Sequence, residues 1–260
     1  MDEKLADEIR SFHQLWKGGY YEADPLEPLH RSSYGQIGYM SIIHATYLVC
    51  IKPYITPETI ALEIGPGKGA WTKTMLSAKE VWALDALPEE HNRFFEYLRY
   101  PLNVKYIQVQ DFKARELPDD YFTYMFSFGC LCHISSEGIR AYANNIFPKL
   151  KKHAHCFWMI ADYDQYNRVS GDLNRYSIWL NAVPKTKRYL WLKWLAKLFV
   201  KYGDRLSRIG PDADELPFPG RWFNAGLERT CTMLEEVGYQ VIDPDVGSAL
   251  RDPIIHFIKP

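Results

Sequence analysis

Short apolar runs alternate with amphipathic stretches along the middle of the chain. The apolar runs are TIALEIG, VWALDAL, VKYIQVQ, YFTYMFSFG and HCFWMIA. Between them, helical spacing of apolar positions predicts helices over about 70–78, 89–100 and 137–150. Strands separated by helices of this length form parallel sheets with both faces covered. The pattern therefore predicts an α/β fold.

The flanks add elements to this core. The start of the chain predicts helices broken by Gly18-Gly19, and the end predicts a helix ended by Gly238 and two closing strands, YQVIDPDV and PIIHFIK. We expect one domain with a seven-stranded, mostly parallel sheet and helices on both faces. Its predicted parts are an N-terminal helical cap at 1–55, a cofactor-binding core at 56–162, an inserted helical lid at 163–220, and a closing helix with strands at 221–260.

Composition narrows the class of protein. The net charge of −1 argues against a nucleic-acid partner, which usually requires a basic surface. The five cysteines contain no CxxC pair, which is typical of reduced, cytosolic proteins. The acidic start, MDEKLADEIR, has no apolar targeting segment. We expect a cytoplasmic enzyme.

Three glycines follow the first predicted strand at alternate positions, Gly65, Gly67 and Gly69, with Glu63 two residues before them. Glycine permits a tight turn and close approach of a ligand to the backbone. This spacing differs from GxGxxG, which disfavours a nicotinamide-dependent reductase. Asp85 comes at the end of the next predicted strand and Asp111 after the one that follows, at the edge where such sheets bind ligands.

The motif E-x-G-x-G-x-G resembles motif I of the class I S-adenosylmethionine-dependent methyltransferases, which have a Rossmann-like fold. The resemblance covers about residues 56–162 and implies S-adenosylmethionine as the cofactor. In the family the glycine loop lies against the methionine part, an aspartate like Asp85 holds the ribose, and an aspartate like Asp111 holds the adenine amino group, with the next residue on the ring. The predicted cofactor residues are Glu63, Gly65, Pro66, Gly67, Gly69, Trp71, Asp85, Ala86, Asp111, Phe112 and Phe128.

Two residues are candidates for chemistry at the methyl acceptor. His133 follows the fourth strand and is the predicted base for a hydroxyl acceptor, with a structural histidine as the alternative. Asp162 follows the fifth strand beside Asp164, and either orients or deprotonates the acceptor or caps a helix. The cysteines and histidines near these strand ends match no zinc module, so no metal is predicted.

Residues 185–208 carry eight basic residues and one acid, with tryptophans at helical spacing. We interpret this stretch as a lid over the substrate, and alternatively as a helix on an anionic membrane surface. The flanking segments are similar to those of bacterial or viral sugar O-methyltransferases of glycan assembly. The predicted partner is therefore a small-molecule or glycan acceptor, lipid-linked if the stretch contacts a membrane. Oligomeric state is left open.

The leading hypothesis is O-methylation of a sugar, glycan or other small-molecule hydroxyl. One alternative is a protein or nucleic-acid methyltransferase, against which the modest charge and the lack of an N/D-PP-Y motif argue. Another is a non-catalytic protein that binds S-adenosylmethionine or a membrane surface.

Overall fold

The computed structural model describes residues 2–19, 23–30, 33–165, 223–247, 249 and 251–260. The predicted lid at 163–220, apart from its first three residues, lies outside these ranges, and so does the basic stretch at 185–208.

The described residues contain one seven-stranded sheet with the strand order β3-β2-β1-β4-β5-β7-β6. Strands β1 to β5 run parallel to one another, while β7 is antiparallel to both β5 and β6. The predicted seven-stranded, mostly parallel sheet is confirmed. The strands are β1 Ile60–Ile64, β2 Glu80–Asp85, β3 Val104–Gln108, β4 Phe122–Ser127, β5 Leu150–Met159, β6 Gln240–Asp243 and β7 Ile254–Ile258.

The connections between the strands are helical but shorter than expected. The α-helices are α1 Asp2–Leu15, α2 Ser33–Gln36, α3 Ile42–Thr46, α4 Glu89–Asn92, α5 Phe94–Leu98, α6 Ser136–Ile146 and α7 Leu227–Val237. A single wide π turn, Tyr47–Ile51, continues α3, and 3₁₀ turns cover Thr72–Met75, Leu131–His133 and Phe147–Lys149.

Two of the helices predicted from apolar spacing differ from the structure. The stretch at 70–78 forms only the 3₁₀ turn Thr72–Met75. The stretch at 89–100 is divided into α4 and α5 at Arg93, whose φ of 51° is left-handed. The Glu89 carboxylate accepts the backbone N–H of Phe95 at 3.0 Å, which supplies a partner where the helical pattern is broken.

The sheet lies between two apolar layers, as a parallel sheet requires. Leu62 and Ile64 of β1 face one core, which α1, α6 and α7 cover. Ala61 faces the other core, which α5, the π turn and the 3₁₀ turn Thr72–Met75 cover. All five residues of β1 are buried, so this strand is at the centre of the domain.

The C-terminal elements complete the sheet as predicted. Helix α7 ends at Gly238, whose φ of 113° reverses the chain so that Tyr239 N–H bonds to Leu234 at 3.0 Å. Strands β6 and β7 then pair antiparallel. Among the described helices, none has the length and apolar character needed to cross a membrane.

Candidate cofactor site

A pocket opens at the carboxyl ends of β1, β2 and β4, where ligands bind in sheets of this kind. Its volume is about 760 Å³ when the open space at its mouth is included. Its lining residues come from α1 and the residues after it, the ends of β1 and β2, the glycine loop, the loops after β2, β3 and β4, and helices α4 and α6. They are Ile9, Phe12, Trp16, Gly18, Ile64, Gly65, Gly67, Leu84, Asp85, Ala86, Leu87, Asn92, Phe112, Gly129, Cys130, His133, Ile134 and Tyr142.

The glycine loop forms the floor of the pocket. Gly65 has a φ of 71° and donates its N–H to Leu84 O at 2.7 Å, which joins the ends of β1 and β2. A Cβ at Gly65 would lie 2.3 Å from the Cβ of Cys130, so no side chain fits there. Gly67 has a φ of 52° and also lines the pocket. The loop therefore requires glycine both for its backbone conformation and for its packing against the loop after β4.

Glu63 stabilises this loop through a hydrogen bond with Thr72. Its side chain is 1% exposed, and its Oε2 accepts the Thr72 hydroxyl at 2.6 Å. Burial raises the pKa of Glu63 to about 8, with a smaller contribution from the nearby Asp85 charge, while the Thr72 hydrogen bond acts in the opposite direction. Glu63 is not a lining residue. Its contact holds the end of β1 to the turn that follows the glycines.

Asp85 is the acidic group of the pocket wall. Its Oδ2 accepts the Gly67 N–H at 3.2 Å, and its Oδ1 accepts the Leu87 N–H at 2.9 Å. Burial raises the pKa of Asp85 to about 6, against the lowering effect of these two N–H groups. The carboxylate is thus fixed between two loops and borders the pocket. Ala86 lines the pocket beside it.

Asn92 supports Asp85 from α4. It is 1% exposed, donates to Tyr106 Oη at 2.8 Å, and accepts the Gly19 N–H at 3.1 Å. Tyr106 in turn donates to Leu87 O at 2.7 Å. A side-chain hydrogen bond from Asn92 also lowers the pKa of Asp85. This network links the acidic wall to the N-terminal segment.

Asp111 and Phe112, the two residues predicted to hold the adenine, differ in their position relative to the pocket. Phe112 lines the pocket, is 2% exposed, and makes an edge contact with Tyr142 at 4.8 Å between ring centroids. Asp111 is not a lining residue. Its carboxylate accepts the Lys113 N–H at 2.8 Å and forms an ion pair with Arg115 at 3.2 Å.

Several other predicted cofactor residues lie near the loop without lining the pocket. Trp71 packs against Phe128 and Phe126 on the far face of the sheet, with ring centroids 4.6 Å and 5.1 Å away. A Cβ at Gly69 would lie 3.1 Å from the Phe94 ring, so this glycine permits helix packing. Pro66 is buried and accepts the Gly69 N–H at 2.8 Å, which closes the turn. These residues shape the loop, and their direct contact with a cofactor stays a prediction.

His133 is at the pocket wall, on the 3₁₀ turn after β4. Its side chain is 8% exposed, and the turn is closed by its own N–H to Cys130 O at 2.9 Å. The Trp16 ring makes an edge contact with the imidazole, with centroids 4.9 Å apart. The structure thus brings the predicted base to the same pocket as Asp85.

Asp162 is not brought to this pocket. Its Oδ1 accepts the Gln165 N–H at 2.7 Å, and its Oδ2 accepts the Leu227 N–H at 2.9 Å at the start of α7. Both oxygens therefore hold backbone, which is the helix-capping alternative. The neighbouring Asp164 accepts from Asn224 at 3.2 Å. The described contacts give no support to a catalytic Asp162, which stays a prediction.

The sequence places Phe12 and Trp16 in the predicted N-terminal cap, but it does not predict that they, Ile9 or Asn92 line the cofactor pocket. The three apolar residues recur at helical spacing, but that spacing alone does not distinguish a pocket wall from a core face. No local signal marks Asn92, because its contacts depend on chain segments far apart in sequence. Among the described residues, no group of three or more histidine, cysteine or acidic side chains is arranged to hold a metal.

The residues that line the pocket suit the chemical groups of the cofactor that the sequence implies. Apolar rings at Phe112 and Tyr142 provide a wall for a planar base, and Asp85 provides a partly buried acceptor for sugar hydroxyls. The glycine loop brings the backbone close to the space beside Asp85. S-adenosylmethionine combines a base, a ribose and an amino-acid chain, and the pocket has a suitable surface for each.

Comparison with known proteins agrees with this assignment. Residues 61–153 match the family model described as "Methyltransferase domain". A search of curated proteins finds no match. Among solved structures, the chain is similar to mitomycin 7-O-methyltransferase MmcR, with a TM-score of 0.52 and 13% identity over 99% of this chain and 60% of that one.

A second similar structure is a Listeria monocytogenes protein assigned as an S-adenosylmethionine-dependent methyltransferase. Its TM-score is 0.51, with 14% identity over 78% of this chain and 92% of that one. At such identities these structures support the fold, while the family match covers the glycine loop and Asp85. Residues 61–153 are therefore a methyltransferase domain, and the sheet that contains them has the Rossmann-like fold of these similar structures.

Proposed function

We propose that this enzyme methylates a hydroxyl group of a sugar, a glycan or another small molecule. The observation that carries the proposal is the position of His133, a nearly buried imidazole in the wall of the cofactor pocket. A hydroxyl acceptor must lose its proton as it is methylated, and a positioned histidine is the side chain most often used for this task. Nucleophiles that carry no proton at neutral pH have no such requirement.

The residues of the pocket divide the work between binding and proton transfer. S-adenosylmethionine would supply a methyl group that is bound to a positively charged sulfur. The acceptor would bond to the methyl carbon while the C–S bond breaks, and the sulfur would leave as a neutral thioether. Asp85 accepts the ribose hydroxyls, and the glycine loop allows the methionine part to approach the backbone. Alignment of donor and acceptor in one enclosed site is the main contribution of the protein, worth about 7–11 kcal/mol in well-oriented reactions.

His133 acts on the acceptor. Its imidazole takes the hydroxyl proton while the new O–CH₃ bond forms, and it later releases that proton to solvent. The Trp16 ring, 4.9 Å from the imidazole, restricts its orientation. Residues 185–208 have the basic charge and the tryptophans typical of a helix on an anionic membrane surface. If they contact a membrane, the expected acceptor is a lipid-linked glycan.

A radiolabelled methyl-transfer screen across nucleotide sugars, lipid-linked glycans and small phenols tests the acceptor class. With an accepted substrate, His133→Ala should lower kcat by about 100-fold or more, since a positioned base contributes 10²–10⁴-fold. The affinity for S-adenosylhomocysteine should stay within about threefold, as judged by calorimetry.

His30→Ala is a matched control, because His30 is exposed and is not a pocket-lining residue. Unchanged kcat in His133→Ala would remove the base. Transfer to proteins or RNA alone, with no small molecule or glycan accepted, would overturn the proposed acceptor class.

A further inference from the structure

The N-terminal segment crosses the cofactor pocket and is attached on both sides of it. Ile9, Phe12 and Trp16 lie on one side of α1 and its continuation, since they are separated by three and four residues. Ile9 is 3% exposed and belongs to the core, while Phe12 packs against it. These three side chains form the wall that covers the pocket opposite the sheet.

One attachment joins α1 to the start of α6. Glu8 accepts the Ser135 N–H at 2.6 Å through Oε1 and the Ser135 hydroxyl at 2.7 Å through Oε2. Ser135 is the N-cap of α6, and its hydroxyl oxygen also accepts the Gly138 N–H at 3.1 Å. A carboxylate at this position is favoured by the helix dipole as well as by the two hydrogen bonds. The contact spans 127 residues of chain.

The second attachment is on the other side of the pocket. Gly19 donates its N–H to Asn92 Oδ1 at 3.1 Å, and Asn92 belongs to the network that supports Asp85. Gly18 lies so close to α4 that a Cβ there would be 2.2 Å from His91 O. Residues 8–19 therefore connect α6 to α4 across the pocket, and the covering rings lie between the two attachments.

We propose that Glu8 is a positioning residue of the cofactor site, which holds Phe12 and Trp16 over the pocket through its contact with Ser135. The inference rests on the assignment of this pocket to S-adenosylmethionine. Because the segment covers the pocket on the side opposite the sheet, its movement widens the route for exchange of cofactor and product. The Glu8 contact then sets the rate of that movement.

The physical chemistry of Glu8 suits a contact that opens repeatedly. Burial raises the pKa of Glu8 above its ordinary value, against the lowering effects of the Ser135 hydrogen bonds and of Lys4. The nearby Glu137 charge also raises it. The cost of burying this charge offsets much of the gain from its hydrogen bonds, so the closed contact is specific in geometry without being strong.

The test is the rate of S-adenosylhomocysteine binding and release, measured by stopped-flow tryptophan fluorescence. In Glu8→Ala we expect both the association and the dissociation rate constants to rise about five- to tenfold, with Kd changing less than either rate constant, because closed and open forms exchange faster. Glu8→Gln keeps an acceptor for the Ser135 N–H and a donor for its hydroxyl, so its rates should lie near those of the wild type.

Lys4→Ala is the matched control. Lys4 forms an ion pair with Glu137 at 3.0 Å between the same two helices, but both side chains are mostly exposed, so its loss should leave the rates within twofold. Hydrogen exchange should be faster in residues 9–16 of Glu8→Ala and unchanged in β1 and β4. This pattern separates local opening from a general loss of stability.

Unchanged rates in Glu8→Ala would overturn the proposal. A faster dissociation with an unchanged association rate would also overturn it, because that result describes a fixed wall rather than a moving one. If Asp85→Ala abolishes binding while Glu8→Ala changes nothing, the cofactor site stands and only the role of Glu8 fails. If the wild-type protein does not bind S-adenosylhomocysteine, both assignments fail.

Discussion

Asp85 and Asp111 are both aspartates at or shortly after the end of an apolar run in the sequence, and they have different surroundings in the structure. Asp85 is the last residue of β2, and Asp111 follows the neighbouring strand β3. The Asp85 carboxylate is directed to the pocket and accepts N–H groups from Gly67 and Leu87. The Asp111 carboxylate is partly exposed and pairs with Arg115, within its own loop.

The difference teaches that the strand end fixes where a residue lies, and the following loop fixes where its side chain points. After β2 the chain turns back toward the glycine loop, whose N–H group holds Asp85 inward. After β3, the Lys113 N–H and the Arg115 guanidinium are nearer, and they hold Asp111 in its own turn. Both aspartates come near the end of an apolar run in the sequence, but only Asp85 lines the cofactor pocket.

The largest expected effect is that of Asp85→Ala on cofactor affinity. Two ribose hydroxyls donating to one carboxylate are each worth about 1.5–3 kcal/mol, so the Kd for S-adenosylhomocysteine should rise by about 100-fold or more. Isothermal calorimetry measures this change, and thermal unfolding shows whether the fold is kept. A change of less than about fivefold would mean that Asp85 is not the ribose acceptor.

A second effect separates the two aspartates by pH. The pKa of Asp85 is raised to about 6 by burial, and sugar hydroxyls donate to its ionised form. Cofactor affinity should therefore weaken as the pH falls below about 6, by up to about tenfold for each pH unit. The Kd of the wild type between pH 5 and 7.5 measures this dependence, and Asp85→Asn should abolish it. A dependence that survives in Asp85→Asn would have to come from another group.

The free energy of unfolding should change with pH in the direction opposite to that of the cofactor affinity. The folded pKa of Asp85, about 6, lies above its ordinary value of 3.8, so this group favours folding at low pH. That contribution, of the order of 3 kcal/mol, is present below about pH 3.8 and is lost as the pH rises through about 6. Glu63, with a pKa near 8, extends the same trend to higher pH. Urea unfolding of the cofactor-free protein at several pH values tests this, and a constant Asp85 contribution across this range would contradict it.

How far the sequence predicts this molecule depends on the range over which each contact acts. The glycine loop and Asp85 follow from a strand–turn pattern within about thirty residues of chain, and the structure brings both to one pocket. Alternating apolar runs are equally local, and they predict the sheet. The direction of the Trp71 ring is decided by packing on the far face of the sheet, which no local pattern contains.

Longer-range contacts account for what the sequence does not predict. Asp162 follows β5 as expected, but its partner is the first turn of α7, 65 residues away. The position of α1 over the pocket depends on the hydrogen bonds between Glu8 and Ser135, which are 127 residues apart in the sequence. Periodicity predicts that α1 is amphipathic, but it does not specify which part of the sheet the apolar side covers.

The smallest expected effect is that of Asp111→Ala, which tests the comparison from its other side. Because the Asp111 carboxylate pairs with Arg115 and does not line the pocket, its loss should change the Kd for S-adenosylhomocysteine by less than about threefold. Arg115→Ala is the matched control, since it removes the partner and leaves the carboxylate. If Asp111→Ala weakens binding by tenfold or more and Arg115→Ala strengthens it, the carboxylate turns to the adenine amino group when the cofactor binds. The two aspartates would then be equivalent in the bound enzyme, and the loop after β3 would be the part that rearranges.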